Sequence, residues 1–247
     1  MVHGLIFAAG LGTRLKPLTD TMPKALVPLA GKTLLQWQVE KLRDAGITDI
    51  IVNVHHFPDM IIDTIRANQG WNCNIAVSDE REMLLDTGGG LKKIKNEKLK
   101  IINEPILACN VDILSNIDLR ALISAYERTG VSQVVVSKRE TQRYLCFDEK
   151  DRLCGWTNIK TGEVRPNNGT WKIEDAQLLA FSGMQILSPD VLAMLDTMKE
   201  DKFSLIDFYL SICGKAELKA FVPNDYRMMD VGKIDQIEEA EIFAESL

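Results

Sequence analysis

Several features that would point to common protein classes are scarce or missing in this sequence. Only three of its 247 residues are histidine and five are cysteine, and no two cysteines form a Cys-x-x-Cys pair. We therefore expect no zinc site, reduced thiols and a cytoplasmic location. No apolar run approaches the ~18 residues of a membrane helix, and no signal segment precedes the first apolar run, so no membrane partner is expected. A pI near 5.2 and a net charge of −6 argue against nucleic-acid binding.

The N-terminal stretch carries the most informative pattern in the chain. An apolar run, Leu5–Ala9, predicts a buried strand, and a loop containing Gly10 and Gly12 follows it. Four basic residues and one acidic residue lie between Gly10 and Lys32, a local charge of +3 in an acidic chain. A glycine loop that leaves a strand among cations is typical of a polyphosphate site.

Two familiar phosphate-binding loops do not fit this stretch. The dinucleotide fingerprint needs a third glycine, which Thr13–Leu15 does not supply. Gly31-Lys32-Thr33 imitates the end of a Walker loop, but Leu26 stands where the first glycine of that loop would be. An ordinary exposed basic turn remains an alternative, because glycine loops are common after strands.

Glycine and proline separate strand-like from helix-like segments along the whole chain. Strands are predicted at Asp49–Val54, Asn74–Ser78, Pro105–Cys109, Val131–Ser137, Leu178–Ile186 and Leu218–Val222. Helices are predicted around Leu35–Leu42, Pro58–Asn68, Thr87–Lys95, Asp118–Arg128, Pro189–Lys199, Ser204–Cys213 and Ile234–Phe243. This alternation predicts one α/β domain over residues 1–247, with a Rossmann-like, mostly parallel sheet and helices on both faces.

The pattern changes near residue 138, where short strand candidates replace helices. These candidates are Arg143–Phe147, Leu153–Thr157 and Glu163–Val164, separated by Asp, Lys and Gly turns. They predict antiparallel hairpins that form a small β-rich lobe, inserted around residues 138–177.

Two aspartates follow short apolar segments at positions suited to ligand binding. Asp112 comes after the predicted strand that ends at Cys109, and Asp230 follows Met228-Met229. Ligands collect at the carboxyl ends of strands in open α/β sheets. Two carboxylates brought together there would hold Mg²⁺, which prefers oxygen ligands. The alternative is that each aspartate caps a following turn or helix.

Together these motifs closely resemble a known enzyme family over nearly the whole chain. The matching elements are Gly10-x-Gly12-x-Arg14, Pro17-x-Thr19, Pro23-Lys24, Thr87-Gly88-Gly89-Gly90, Asn110-Val111-Asp112 and Asp230-Val231-Gly232. They resemble the nucleotidyltransferases that join a nucleoside triphosphate to a sugar 1-phosphate and release pyrophosphate. The length and the Thr-Gly-Gly-Gly motif are most similar to compact N-acetylmuramate-1-phosphate uridylyltransferases.

The resemblance implies a role for each matching residue. It implies nucleotide binding by Ala9, Gly10, Leu11, Gly12, Thr13, Arg14, Lys24, Thr87, Gly88 and Gly89, the last segment holding the base largely through backbone groups. It implies catalytic roles for Arg14, Lys24 and Asp112, and a Mg²⁺ cofactor held by Asp112 and Asp230. It implies sugar-phosphate contacts for Asn110, Ser182 and Gly183, with the β-rich lobe binding the sugar.

One family element is missing, and several alternatives stay open. Many members carry a Glu-Lys-Pro triplet whose lysine binds the sugar phosphate, whereas Gly155–Lys160 lacks it, which leaves Lys138, Arg139 and Lys160 as candidates. The base, the sugar and a homodimer are left open. A mannose- or heptose-1-phosphate guanylyltransferase and a phosphocholine cytidylyltransferase are alternatives within this fold. A non-catalytic nucleotide-sensing subunit and a scaffold with an acidic C-terminal helix are alternatives outside it.

Two further motifs are interpreted more simply. His55 and His56 end a predicted strand and could lie near the site, but a structural role is favoured for both. Asn168-Gly169-Thr170 matches a glycosylation sequon and is interpreted as a turn.

Overall fold

The computed structural model of the protein describes residues 1–97, 103–166, 169 and 171–247. Within these residues the strands are β1 (His3–Phe7), β2 (Pro28–Leu29), β3 (Lys32–Thr33), β4 (Asp49–Val54), β5 (Asn74–Asp79), β6 (Ile106–Asn110), β7 (Ile113–Ser115), β8 (Ser132–Ser137), β9 (Arg143–Phe147), β10 (Leu153–Asn158), β11 (Glu163–Arg165), β12 (Gln177–Leu187), β13 (Leu218–Phe221) and β14 (Met228–Asp230). The α-helices are α1 (Leu34–Asp44), α2 (Pro58–Ala67), α3 (Asp86–Asn96), α4 (Leu119–Thr129), α5 (Pro189–Ala193), α6 (Leu205–Ile212) and α7 (Ile237–Glu245). The sequon lies partly outside the described residues.

One mixed sheet organises these elements. Its main path runs β11-β10-β9-β12-β6-β1-β4-β5, and β8 pairs with β12 and β13. The pairs of β1 with β4 and β6, of β4 with β5, and of β8 with β13 are parallel. Strand β12 is antiparallel to β6, β8 and β9, so the hairpin strands β9–β11 continue the same sheet through it.

Helices cover both faces of this sheet because the apolar side chains of β1 alternate between them. Ile6 belongs to a cluster that includes buried side chains of α1, α2, α4 and α7. Its neighbours Leu5 and Phe7 belong to a second cluster, which includes side chains of α3, α5 and α6. A strand with both faces buried needs a continuous apolar run, which Leu5 to Ala8 supplies.

The helix boundaries follow ordinary capping chemistry. The Thr33 hydroxyl accepts a hydrogen bond from the Gln36 amide at the start of α1, and Asp118 caps α4 in the same way. Pro58 occupies the first turn of α2, where a missing N–H costs nothing. Ser204 and Asp207 form a capping box at the start of α6.

Some predicted boundaries were wrong by a few residues. The first strand ends at Phe7 rather than Ala9, because the Ala8 amide leaves the sheet and donates to the side chain of Asn53 (2.7 Å). The predicted helix over 189–199 is α-helical only to Ala193 and continues as a 3-10 turn, Met194–Thr197. The last helix likewise begins as a 3-10 turn, Ile234–Gln236.

Two remaining observations concern expectations from composition. All five cysteines are free thiols. Among the helices of the described residues, none is both long enough and apolar enough to cross a bilayer.

Candidate active site

A cleft of about 420 Å³ opens where the parallel strands end at their carboxyl termini. Nine residues predicted from the sequence line it, namely Gly10, Leu11, Gly12, Thr13, Arg14, Lys24, Thr87, Asn110 and Asp112. Four lining residues were not predicted as site residues, namely Phe7, Leu84, Val111 and Gly232. Ala9, Gly88, Gly89, Ser182, Gly183 and Asp230 lie outside this lining.

The loop after β1 has a geometry that requires glycine at position 12. Gly12 adopts a left-handed φ of 64° just before a 3-10 turn, Thr13–Leu15. A Cβ there would lie 2.9 Å from Thr19 Cγ2 and 3.0 Å from Lys24 Cβ. The Thr19 hydroxyl donates to the Gly12 carbonyl at 2.8 Å and closes the loop. Gly12, Thr19 and Lys24 therefore pack together as one unit. Their spacing in the sequence is the one that resembles the family.

Lys24 is held inside the cleft rather than on the surface. It opens a 3-10 turn, Lys24–Leu26, and is 8% exposed. Its ammonium group forms an ion pair with the Asp112 carboxylate, so the two groups share one point of the cleft. A nearly buried charge of this kind needs a partner, and Asp112 supplies it.

A two-stranded ribbon that the sequence did not predict brings the two aspartates together. Strands β7 and β14 are antiparallel, with Ile113 opposite Asp230, and the Val231 amide donates to the Asp112 carbonyl at 2.9 Å. No described helix begins at Asp112 or at Asp230, so neither aspartate is a helix cap.

Several charged groups around the cleft influence the pKa of Asp230. Burial and the neighbouring charge of Asp112 raise the pKa of Asp230, while Lys24, Arg14 and Arg139 act in the opposite direction. Gly232 makes this convergence of charges feasible. A Cβ at Gly232 would lie 2.6 Å from Asp230 Oδ1 and 2.8 Å from Arg14 Nη2.

Side chains of α1 donate hydrogen bonds to the backbone carbonyls on the outer edge of β7. Gln38 Nε2 donates to the Ile113 carbonyl at 2.7 Å, and Lys41 Nζ donates to the carbonyl (2.7 Å) and hydroxyl (3.1 Å) of Ser115. A three-residue strand is thus fixed on one edge by β14 and on the other by a helix. Because Asp112 directly precedes β7, the same contacts fix the position of its backbone.

The glycines at the start of α3 are explained by packing. The amides of Gly88 and Gly89 both donate to the Phe203 carbonyl, at 2.9 and 3.1 Å. A Cβ at Gly88 would lie 2.4 Å from the Phe203 ring, and one at Gly89 would lie 2.0 Å from the Asp201 carbonyl oxygen. These two amides are therefore committed to the protein, and the reading of a base by other backbone groups of this segment stays a prediction. Thr87 is the member of this motif that lines the cleft.

The residues predicted to contact a sugar phosphate lie around a bulge in β12. Gly183 has a φ of 70°, at an interruption of the register between β12 and β8, and packs behind the Asn110 amide. Ser182 is fully buried, and its hydroxyl lies close enough to that of Tyr226 to act on the pKa of that tyrosine, which burial raises. Asn110 is thus the member of this set that faces the cleft.

The three candidate cations for the missing triplet differ in their surroundings. Arg139 Nη2 donates to the Phe181 carbonyl at 2.8 Å, and its charge acts on both Asp230 and Tyr226. Lys160 lies in the turn between β10 and β11, where its amide bonds to Asn158.

The two histidines at the end of β4 bind backbone carbonyls. A ring nitrogen of His55 lies 2.7 Å from the Glu80 carbonyl oxygen, and one of His56 lies 3.2 Å from that of Thr19. Neither lines the cleft.

Taken together, a mixed α/β sheet whose parallel strands end at a cleft, a cationic glycine loop that lines this cleft, and two neighbouring carboxylates define a nucleotide-handling α/β protein. The family model for nucleotidyl transferases matches residues 3–246. The chain belongs to the nucleotidyl transferase family, which confirms the resemblance seen in its motifs.

Individual relatives agree with this membership. The chain is 33% identical over 232 residues to the N-acetylmuramate alpha-1-phosphate uridylyltransferase of Caulobacter vibrioides, covering 89% of this chain and 87% of that protein. It is 34% identical over 139 residues to the mannose-1-phosphate guanyltransferase of Saccharomyces cerevisiae, covering 56% of this chain and 38% of that longer protein. Among solved structures, HddC from Yersinia pseudotuberculosis complexed with GMP-PN has a TM-score of 0.74 at 24% identity, over 98% of this chain and 99% of that one. An apo UDP-glucose pyrophosphorylase has a TM-score of 0.78 at 20% identity over the full length of both chains. These likenesses confirm the α/β fold.

Proposed function

We propose that this protein transfers a nucleotidyl group from a nucleoside triphosphate to a sugar 1-phosphate, with UTP and N-acetylmuramate 1-phosphate as the favoured pair. The observation that carries the proposal is the Lys24–Asp112 ion pair in the cleft that the glycine loop lines, together with the β7–β14 ribbon, which brings Asp230 close enough for both charges to act on it. The choice of substrates is supported by the 33% identity to the Caulobacter vibrioides uridylyltransferase, which is matched over most of both chains.

A divalent cation, Mg²⁺, fits the donor set of this cleft. Asp112 and Asp230 offer carboxylate oxygens from adjoining ends of the β7–β14 ribbon. The protein would thus supply two ligands, because the described residues contain no cluster of three or more His, Cys, Asp or Glu side chains suited to a metal. Two carboxylates with phosphate oxygens completing the shell is a usual arrangement for Mg²⁺. When bound, the ion would offset the negative charge of the reacting phosphates.

The proposed reaction is an in-line displacement at the α-phosphorus. An oxygen of the acceptor phosphate forms the new P–O bond, and the bond from the α-phosphorus to the bridging oxygen breaks, so that pyrophosphate leaves. The acceptor phosphate is already ionised at neutral pH, so the step needs no general base. Catalysis then depends on positioning and on charge compensation.

The cations of the cleft supply that compensation in this proposal. The loop from Gly10 to Thr13 offers backbone amides to the triphosphate, and Arg14 and Lys24 bring positive charge to the phosphate chain and the leaving pyrophosphate. Arg139 takes the part of the missing triplet lysine and binds the acceptor phosphate. Its support is the action of its charge on Asp230.

The direct test measures pyrophosphate release with each common nucleoside triphosphate, Mg²⁺ and a panel of sugar 1-phosphates and phosphocholine. We expect turnover with UTP and N-acetylmuramate 1-phosphate. Turnover with GTP and mannose or heptose 1-phosphate, or with CTP and phosphocholine, would replace that pair by an alternative substrate class. Tight triphosphate binding in calorimetry without any turnover would instead identify a nucleotide-sensing subunit.

Substitution of the two aspartates tests their proposed role. Asp112→Asn and Asp230→Asn keep the size of each side chain and remove its charge, and each should lower kcat by about 100-fold or more. Asp235→Asn, in the 3-10 turn before α7, is the matched control and should retain wild-type turnover. Near-normal rates in both cleft variants at limiting Mg²⁺ would remove these carboxylates from the mechanism.

Arg139→Ala tests the acceptor assignment. We expect the KM for the sugar 1-phosphate to rise about tenfold or more, with little change in the KM for the triphosphate. Lys160→Ala is the control, and the same effect on its acceptor KM would transfer the assignment to that lysine.

A further inference from the structure

A buried carboxylate lies behind the cleft, in a position that the proposed chemistry does not use. Glu80 follows β5 and is 2% exposed. Its two oxygens accept hydrogen bonds from the Asn53 side chain and the Leu85 amide, and the charge of Lys93 acts on it without a direct contact among the described ion pairs. Burial raises the pKa of Glu80. A buried carboxylate whose hydrogen bonds come from neutral donors is costly, so a specific role for it is expected.

One side of this carboxylate is connected to the phosphate loop through Asn53. Asn53 Nδ2 donates to Glu80 Oε1 at 2.8 Å, and Asn53 Oδ1 accepts from the Ala8 amide at 2.7 Å. Ala8 is the first residue after β1, so this bond replaces a strand contact at the point where the chain turns into the glycine loop. Asn53 is itself only 2% exposed, which excludes water as a competing partner.

The other side is connected to the segment that opens α3. Glu80 Oε2 accepts from the Leu85 amide at 3.3 Å, immediately before the helix. A Cβ at Gly90 would lie 2.6 Å from Glu80 Oε1 and 3.0 Å from Asn53 Nδ2, so only glycine leaves room for the pair. Leu84 and Thr87, on either side of Leu85, line the cleft opposite the glycine loop.

We propose that Asn53 and Glu80 form a positioning pair, which locks residues 8–14 and residues 84–90 at the separation that a bound nucleoside triphosphate spans. Neither side chain touches the nucleotide. The pair acts through the Ala8 and Leu85 amides, so the ligand does not need to order two independent segments when it binds. The kinetic consequence rests on the proposed function, whereas the coupling of the two segments does not.

The chemistry of the pair allows an exchange of its two polar groups. In Glu80→Gln, the new amide nitrogen faces one of two N–H donors, from Asn53 or from Leu85. In Asn53→Asp, a second carboxylate oxygen faces the Glu80 carboxylate. In the double variant N53D/E80Q, the new glutamine donates to the new aspartate, which still accepts from Ala8, and the glutamine oxygen accepts from Leu85. The double variant thereby matches the wild type in side-chain size, net charge and number of hydrogen bonds. Only the direction of the hydrogen bond between residues 53 and 80 is reversed.

The first readout is hydrogen exchange of the backbone amides in the protein without ligand. We expect each single variant to accelerate exchange in both segments, 8–14 and 84–90, by about tenfold or more, because a buried donor or charge is left unmatched. The double variant should return both segments to near the wild-type rate. Acceleration of only the nearer segment in each single variant, or no recovery in the double variant, would overturn the proposal.

The second readout is kinetic and separates positioning from general stability. At a temperature well below unfolding, each single variant should raise the KM for the triphosphate about tenfold, with the KM for the sugar 1-phosphate unchanged, and the double variant should recover. Equal losses for both substrates, or losses that follow only the folded fraction, would assign the pair a merely structural role. If the wild type releases no pyrophosphate with any substrate pair, the proposed function fails, and the exchange experiment still decides on the coupling.

An asparagine–carboxylate pair at the opposite end of the same two strands serves as the control. Asn74 Nδ2 donates to Asp49 Oδ1 at 2.8 Å, between β5 and β4 and far from the cleft. The variants Asp49→Asn, Asn74→Asp and their combination should leave the exchange of 8–14 and 84–90 and both KM values at wild-type levels. If single variants of the buried pair fail to fold, the double variant against the wild type is decisive, since failure of the double variant to fold contradicts the restored bonding.

Discussion

The ammonium group of Lys41 allows a quantitative prediction about the strand that carries the site. The half-buried Lys41 side chain places this group against β7, where the Ser115 carbonyl and hydroxyl accept its hydrogen bonds. Burial lowers the pKa of Lys41 from 10.5 to about 8, and the weak opposing influence comes from the nearby Cys109. The perturbation is Lys41→Met, which keeps an unbranched side chain and removes the titrating group.

The sign of the effect follows from proton linkage. Between pH 8 and 10.5 the unfolded chain holds a proton on Lys41 that the folded protein has lost, so stability increases with pH over this window. At 1.36 kcal/mol for each pH unit, the full difference is about 3 kcal/mol. Relative to Lys41→Met, the wild type should therefore gain up to about 3 kcal/mol in free energy of unfolding between pH 7.5 and 10.5.

Urea unfolding followed by circular dichroism at several pH values measures this gain. The comparison with the variant cancels the titration of the tyrosines and cysteines, which both proteins share. Lys215→Met is the matched control, because Lys215 is exposed and its ammonium group donates to the Ser211 carbonyl, and its profile should run parallel to that of the wild type. A parallel profile for Lys41→Met as well would refute the conclusion that this ammonium group is desolvated.

Two further substitutions separate the site from the scaffold. Gly232→Ala places a Cβ within 2.6 Å of Asp230 Oδ1 and 2.8 Å of Arg14 Nη2, so kcat/KM in the pyrophosphate assay should fall about tenfold or more while the melting temperature changes little. An unchanged kcat/KM would show that these polar groups need not converge. Gly155→Ala places a Cβ 2.0 Å from the Trp171 ring, so urea unfolding should show a loss of about 1–3 kcal/mol with the KM for the triphosphate unchanged. An unaltered urea midpoint would contradict this overpacking.

The sequence by itself determined the class of the protein and the elements that surround the cleft. Strands such as β4 and β5 and helices such as α4 were predicted almost to the residue, because apolar periodicity, caps and glycine breaks are local signals. The glycine loop was also recognisable locally, since the φ of Gly12 and its contacts with Thr19 and Lys24 lie within a short stretch of chain.

Only the tertiary structure decided how distant segments meet. The ribbon of β7 and β14, which brings Asp112 beside Asp230, consists of two three-residue strands that are too short to have a recognisable period. Pairing between residues so far apart in the sequence is selected by the closure of the whole fold.

The glycines of α3 illustrate the same limit from the opposite direction. Their pattern predicted a segment that holds a base largely through backbone groups, and the structure shows that the amides of Gly88 and Gly89 donate to the carbonyl of Phe203, a residue distant in the sequence. Asn53 and Glu80 carried no sequence signal at all, because a buried hydrogen-bonded pair resembles two ordinary polar residues until their surroundings are known. Local sequence therefore determined which residues turn and pair nearby, and folding decided which polar groups are left free for a ligand, because that depends on partners contributed by remote segments.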